Sequence, residues 1–185
     1  MTVPPHELRA LLLTATERSL AASSDFDLNP VSKEKRTASL RDAAVLIGVY
    51  SSVDGPCVLL TRRAAHLKHH PNQVAFPGGK VEAKDAHIHA AALREAQEEV
   101  GLDPALPTVV GELEHLSTIV SKSYIVPIVA RLDVHHADRP HLEPQTMDAD
   151  RVMWTPIVEL TRLGTYRLER WGNLPLDRPL HFFEL

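Results

Sequence analysis

Leu8, Leu11, Leu12, Ala15 and Leu20 recur at roughly helical spacing across residues 5–22, so the apolar pattern of the chain opens with an amphipathic helix. Residues 23–39 break that pattern, being polar and then basic, and read as a linker. Beyond it, residues 43–51 and 57–62 are apolar and β-branched, which suits strands on a half-buried sheet. Val53-Asp54-Gly55-Pro56 between them predicts a hairpin turn. The period changes after Asp85. His89, Leu93, Ala96 and Val100 then share one helical face, the side a core would take, with Asp85 as N-cap and Gly101 as terminator. Residues 109–116 and 124–132 return to strand-like runs. Pro127 cannot donate to a sheet ladder, so it marks the second run as an edge or bulged strand. Residues 152–155 predict another short strand, and Pro156 suits the first turn of a helix reaching Leu163. Strands before and after a central helix predict an α/β fold, a mixed sheet flanked by helices.

Length and charge narrow this picture. The 185 residues fit one domain that buries roughly 70% of its unfolded surface, with residues 1–40 as helix and linker and residues 41–185 as the domain proper. A net charge of −4 argues against a general nucleic-acid binder, which would carry a basic surplus. The single cysteine, Cys57, excludes an internal disulfide and fits a reducing compartment. Its place in a strand favours burial over reactivity. The first residues lack a basic region followed by an apolar core, and no apolar run nears the ~20 residues of a membrane span. The expectation is therefore a cytoplasmic protein with neither nucleic-acid nor membrane partners. Zinc-type Cys/His spacing, Gly-x-x-x-x-Gly-Lys and Gly-x-Ser-x-Gly are all missing, which removes common competing enzyme classes.

The central helix carries the chemistry. Glu95, Glu98 and Glu99 fall on one face, and the last two sit in the final turn, where the helix dipole favours cations. Solvated, each repulsion costs about 0.2 to 1 kcal/mol; at an effective dielectric of about 20 it rises to about 3 kcal/mol per pair. A bound cation removes that penalty, although a merely solvated acidic face, softened by Arg94, is the bland alternative. Phe76-Pro77-Gly78-Gly79 precedes the helix, and two residues without side chains let the backbone approach a ligand and offer carbonyl oxygen. Carboxylates plus a carbonyl form a hard, oxygen-rich set suited to Mg²⁺ or Mn²⁺.

The order Gly79, spacer, Asp85, spacer, Arg94-Glu95-x-x-Glu98-Glu99-x-Gly101-Leu102 resembles the Nudix box, the signature of hydrolases of nucleoside diphosphates linked to another moiety. Asp85 stands where the family's first glutamate does, and one extra residue separates it from Arg94. One subgroup, the coenzyme A diphosphatases, tolerates that departure and adds an upstream pattern. Leu59-Leu60-Thr61-Arg62-Arg63-Ala64 and Phe76-Pro77-Gly78-Gly79 match it at the right spacing. Lys68 replaces an arginine of the pattern and loses bidentate phosphate geometry, while Asn72 replaces a glycine as the residue that best tolerates positive φ.

The resemblance implies a Nudix-type α/β/α sandwich with a mixed β-sheet, plus the N-terminal helix, with the hydrolase domain over residues 41–185. It implies metal binding by Glu95, Glu98, Glu99 and the Gly79 carbonyl, and an orienting role for Arg94; Asp85 is read as a helix cap over a ligand. For the general base the resemblance allows a box glutamate or a later acid, Glu114, Glu143 or Asp148. Loop position favours Glu143 and Asp148, and Asp148 is preferred because the subgroup resemblance implies an acid ahead of the residue 152–155 strand. Arg62, Arg63, Lys68 and Phe76 are the expected substrate contacts. A basic cluster of Arg62, Arg63 and Lys68 with His66, His69 and His70 would suit the 3′-phosphate of coenzyme A, though it reads equally well as a solvated loop. His135-His136 is read as non-catalytic. The expected substrate is coenzyme A or a thioester of it, with another nucleotide diphosphate as the alternative, a non-catalytic nucleotide-binding regulator as the third reading, and a homodimer left open.

Overall fold

The computed structural model describes residues 5–18, 41–68, 70–117, 123–134, 139–171 and 178–183. The predicted linker at residues 23–39, together with His69 and His135-His136, lies outside them.

The sheet grows from one hairpin. Strand β1 (Arg41–Ser52) and strand β2 (Gly55–Arg63) pair antiparallel across the expected turn, with Ser52 opposite Gly55 and Val49 opposite Val58. Further from the turn the two strands part. Strand β3 (Val74–Ala75) pairs with β2 at Thr61 and Arg62, while strand β4 (Gly78–Lys80) pairs with β1 at Ala43 to Val45. Phe76 and Pro77 join β3 to β4, and Leu46 N–H donates to Pro77 O at 2.8 Å. The Phe-Pro-Gly-Gly segment is therefore a wedge between diverging strands, which residue-by-residue propensity could not show because β3 and β4 are too short. The turn before β3 uses left-handed backbone at His70 (φ 55°) and Asn72 (φ 59°); Asn72 meets the expectation for a glycine substitute, and His70 adds a second such position.

Strand β7 (Ser123–Leu132) runs parallel to β1 and carries strands β5 (Pro107–Glu112) and β6 (Leu116–Ser117) antiparallel on its other side. Strand β8 (Ala149–Pro156) covers the outer side of β2. Pro127 thus lies in an inner strand, not at an edge. Leu113 N–H donates to Pro127 O at 2.9 Å, so the missing N–H of Pro127 faces the same side, and there the pairing of β7 breaks between β5 and β6. The bulge sits in β5, between Val109 and Gly111.

Helix α2 (Ile88–Val100) covers one face of the sheet. Its Ala91, Ala92, Ala96 and Val100 pack with Leu46, Leu59, Val126 and Ile128, all essentially buried. Each buried Leu, Ile or Val of this set contributes about 1.5–3 kcal/mol, and each alanine less. Leu93 packs on that core as expected, though half-buried, whereas His89 is half-buried and taken by Glu112, whose Oε1 lies 2.7 Å from its Nε2. The opposite face carries α1 (Pro5–Arg18) and α3 (Ile157–Leu160), with Leu8 buried among Val49, Val58 and Leu60. Helix α3 stops at Leu160, short of Leu163, with Pro156 as its N-cap residue. A hairpin of β9 (Tyr166–Trp171) and β10 (Arg178–Phe183), unanticipated in the sequence pattern, follows. The result is a mixed sheet between helical layers.

Candidate active site

Helix α2 begins later than its sequence suggested. His87 is the N-cap, extended at φ −163°, and its Nδ1 accepts from Ala90 N–H at 3.2 Å. Asp85 does not cap because its carboxylate is already engaged: Arg94 donates to it through Nε at 2.8 Å and Nη2 at 3.0 Å, and Glu82 N–H donates at 2.8 Å. The Arg94 hydrogen bond, then the Glu82 amide, hold the Asp85 carboxyl down at about 2, so the pair is charged at any working pH. Gly101 ends the helix in the left-handed conformation, φ 72°, as expected.

Arg94 is saturated by the protein. Besides Asp85 it donates through Nη1 to Glu95 Oε1 and to Glu98 Oε2, both at 3.0 Å, and through Nη2 to Lys80 O at 2.9 Å. Glu98 is also drawn toward Lys84, whose Nζ lies 3.4 Å from its Oε1. Glu95 lies against β4, where a Cβ on Gly79 would fall 2.5 Å from the carboxylate carbon. Glu99 reaches the adjacent residue, accepting from Gly78 N–H at 3.2 Å. The missing Cβ of Gly79 lets α2 lay Glu95 on the strand backbone, whereas that of Gly78 lets β4 lie close against β1.

Glu99 is the electrostatically stressed member. Burial pushes its carboxyl up to about 7; the charges of Glu95 and Asp148 push the same way, while the Gly78 amide and Arg63 oppose them. Arg63 and Asp148 are therefore neighbours of the carboxylate group. Arg63 Nε is buried and has no hydrogen-bond partner among the described residues, a donor left free for a ligand. Because the folded-state value of Glu99 lies above the ordinary 4.5, the folded protein holds the proton more tightly than the unfolded chain between those limits. Metal-free protein should thus be most stable below about pH 4.5 with respect to this group and lose roughly 2 to 3 kcal/mol as pH rises through about 7. Urea denaturation in chelator at pH 5, 6, 7 and 8 measures it; a Glu99→Gln protein should show that slope removed.

The predicted basic cluster is divided by strand geometry. Successive side chains of β2 point to opposite faces. Arg63 faces the helix side with Leu59, whereas Arg62 lies on the other face, held by Asp150 through Nε at 2.8 Å and Nη2 at 3.0 Å. Lys68, His66 and His70 are exposed. Phe76 is half-buried and packs on the Leu8, Val49, Val58 and Leu60 cluster, where its ring is occupied by the core. Glu143 is exposed in the loop before β8, and Glu114 lies between β5 and β6. Lys84 and Gln145 frame the site, and Asp150 draws Arg62 away from it, without any of the three having stood out in the sequence. Only the 14-residue separation of Lys84 from Glu98 could have been noted, and that means nothing before the fold is known.

Among the described residues no three His, Cys, Asp or Glu side chains converge into a finished metal cage. Arg94 holds Glu95 and Glu98 in its own fork and the Gly78 amide holds one oxygen of Glu99. The donor set nevertheless fits a hard divalent cation, being all oxygen, with one carboxylate whose charge is opposed by burial and by two neighbouring acids. A cation there would relieve what the Gly78 amide and Arg63 leave uncompensated.

A family model described as NUDIX domain matches residues 39–175. A relative from Enterobacter sp. (strain 638), described as an uncharacterized Nudix hydrolase NudL, is 37% identical over 155 residues, covering 81% of this chain and 77% of that one. Among solved structures, the Nudix hydrolase RenU from M. smegmatis superposes with a TM-score of 0.54 at 22% identity, covering 65% of this chain and 73% of that one. The NUDIX domain of Shewanella oneidensis NrtR, complexed with ADP ribose, gives 0.52 at 14% identity, covering 72% and 86%. At such identities these two bear on the fold.

Proposed function

The chain belongs to the Nudix family, and from that premise we propose that it is a divalent-metal-dependent diphosphatase that cleaves coenzyme A or its thioesters into 4′-phosphopantetheine and adenosine 3′,5′-bisphosphate. The observation that carries the reading is Arg63. It comes from the upstream Leu59 to Ala64 segment that resembles the coenzyme A subgroup pattern; its Nε is buried and without a hydrogen-bond partner among the described residues, and its charge acts on the box carboxylate Glu99.

In this proposal Glu95, Glu98 and Glu99 hold Mg²⁺ or Mn²⁺, with the Gly79 carbonyl as a further donor. When bound, such an ion would neutralise charge on the diphosphate and lower the pKa of a water. Asp85 fixes Arg94, and Arg94 in turn aims Glu95 and Glu98, so this arginine orients ligands and does not touch substrate. Arg63 donates to a phosphate oxygen. Asp148, on the loop before β8 and close enough to act on Glu99, takes the proton of the water. Water attacks one phosphorus, the bridging P–O bond breaks, and no covalent enzyme intermediate forms. Lys68, exposed beyond β2, is available to the 3′-phosphate.

Incubation with coenzyme A and Mg²⁺ or Mn²⁺, followed by product masses, tests the reading. The expected products are the two named above, with activity lost in excess chelator and regained on adding metal. Cleavage of a nucleotide sugar, dinucleotide or oxidised nucleoside triphosphate, with coenzyme A untouched at every metal concentration, would assign the chain to another Nudix substrate. Tight nucleotide binding without hydrolysis under any metal would assign it a regulatory role.

A further inference from the structure

The loop before β8 is pinned on both sides of Met147. Upstream, Gln145 N–H donates to Glu99 O at 2.8 Å, its side chain lies 3.2 Å from where a Cβ on Gly101 would stand, and its Nε2 donates to Glu143 O at 3.0 Å. Downstream, Ala64 N–H donates to Asp148 O at 2.9 Å, and Asp148 N–H reaches Thr146 Oγ1 at 3.4 Å. The farther end is tied as well, since Trp154 Nε1 donates to Pro140 O at 3.2 Å and Leu142 packs on the main core. Yet the Met147 side chain is 79% exposed. Leu163 is more exposed still, but it lies in the turn after α3, with nothing linking it to the carboxylates. Met147 is one residue from the acid that acts on Glu99.

A long apolar side chain left in water, on a loop whose backbone is bonded to Glu99 and Ala64, has no apolar compensation among the described residues. A ligand with apolar surface next to its diphosphate supplies it. Methionine is unbranched and polarizable, and so adapts to partners of variable shape. Resting on the coenzyme A reading above, we propose that Met147 is a specificity-determining residue that packs against the flexible, apolar acyl-pantetheine arm of the substrate. A polar sugar in that position gains nothing from it.

Steady-state kcat and KM are to be measured on the full chain with Mg²⁺ or Mn²⁺, using coenzyme A, a medium-chain acyl-coenzyme A and ADP-ribose. Wild type, Met147→Gln and Met147→Leu are compared, each with its Tm. Met147→Gln should raise KM for the acyl substrate about tenfold more than it raises KM for ADP-ribose, with kcat little changed. Met147→Leu should restore the wild-type KM, and all three proteins should share one Tm because the side chain is not packed. Equal effects on the acyl substrate and ADP-ribose, or none on either, overturn this inference and leave the coenzyme A reading standing. A wild-type protein that cleaves ADP-ribose but neither coenzyme A nor its thioester overturns both.

Discussion

Replacing Glu99 with glutamine is expected to reduce turnover by about 10³-fold or more while making the metal-free protein more stable above pH 7. The two effects have one cause. Burial, with Glu95 and Asp148 nearby, raises the Glu99 carboxyl to about 7, so its ionised form is costly until a cation arrives. Glutamine keeps the shape and can still accept from Gly78 N–H, but it carries no charge to be opposed and none to offer a metal. The gain should be of the order of 2 kcal/mol at pH 8 and vanish below about pH 4.5, where Glu99 is protonated in both folded and unfolded protein. Denaturation curves and turnover numbers on the same preparations decide it. A Glu99→Gln enzyme of full activity would sink the metal role of this residue.

Alanine at Gly78 and alanine at Gly79 should fail differently, although the two positions are adjacent. A Cβ on Gly78 would stand 2.3 Å from Ala44 O and 2.6 Å from Val45 Cα, backbone atoms of β1 that cannot yield without parting β4 from β1. Gly78→Ala should therefore cost about 3 kcal/mol or more, lowering Tm by roughly 6 to 12 °C. The three atoms nearest a Cβ on Gly79 all belong to the Glu95 carboxylate, the end of a side chain that can swing away. Gly79→Ala should keep its Tm within a few degrees and lose about 10²-fold in turnover, because Glu95 leaves both the strand and Arg94. Thermal melts beside chelator-controlled assays separate the two. A Gly79→Ala protein with normal turnover would show that the Glu95 position on β4 is not needed.

The contrast shows what could be read from the chain alone. Helix α2 and its acidic face were legible because Glu95, Glu98 and Glu99 follow one period and Gly101 ends it locally. The long strands were legible for the same reason. Partners were not. Asp85 looked like a cap because a carboxylate just before a helix usually is one, and only the fold shows that Arg94 reaches it first. Arg62 and Arg63 looked like one basic patch because adjacency in sequence says nothing of which arginine will find Asp150 across a bulge. Pro127 was misplaced because the rule against proline in inner strands concerns a lost donor, and here that donor faces a gap between β5 and β6. Phe76 looked like part of the binding motif and is occupied by the core on the far face.

On the proposed reading of Arg63, the alternation of Arg62 and Arg63 also makes the frame of β2 a requirement of the chemistry. A single-residue insertion or deletion between the hairpin turn and Leu59 would preserve every residue of the upstream motif and still exchange the two arginines, sending the one tied to Asp150 toward Glu99 and Arg63 to the opposite face. Length in this strand is thus as informative as identity. A homologue can match all the letters of the motif and, by one position, be a different enzyme.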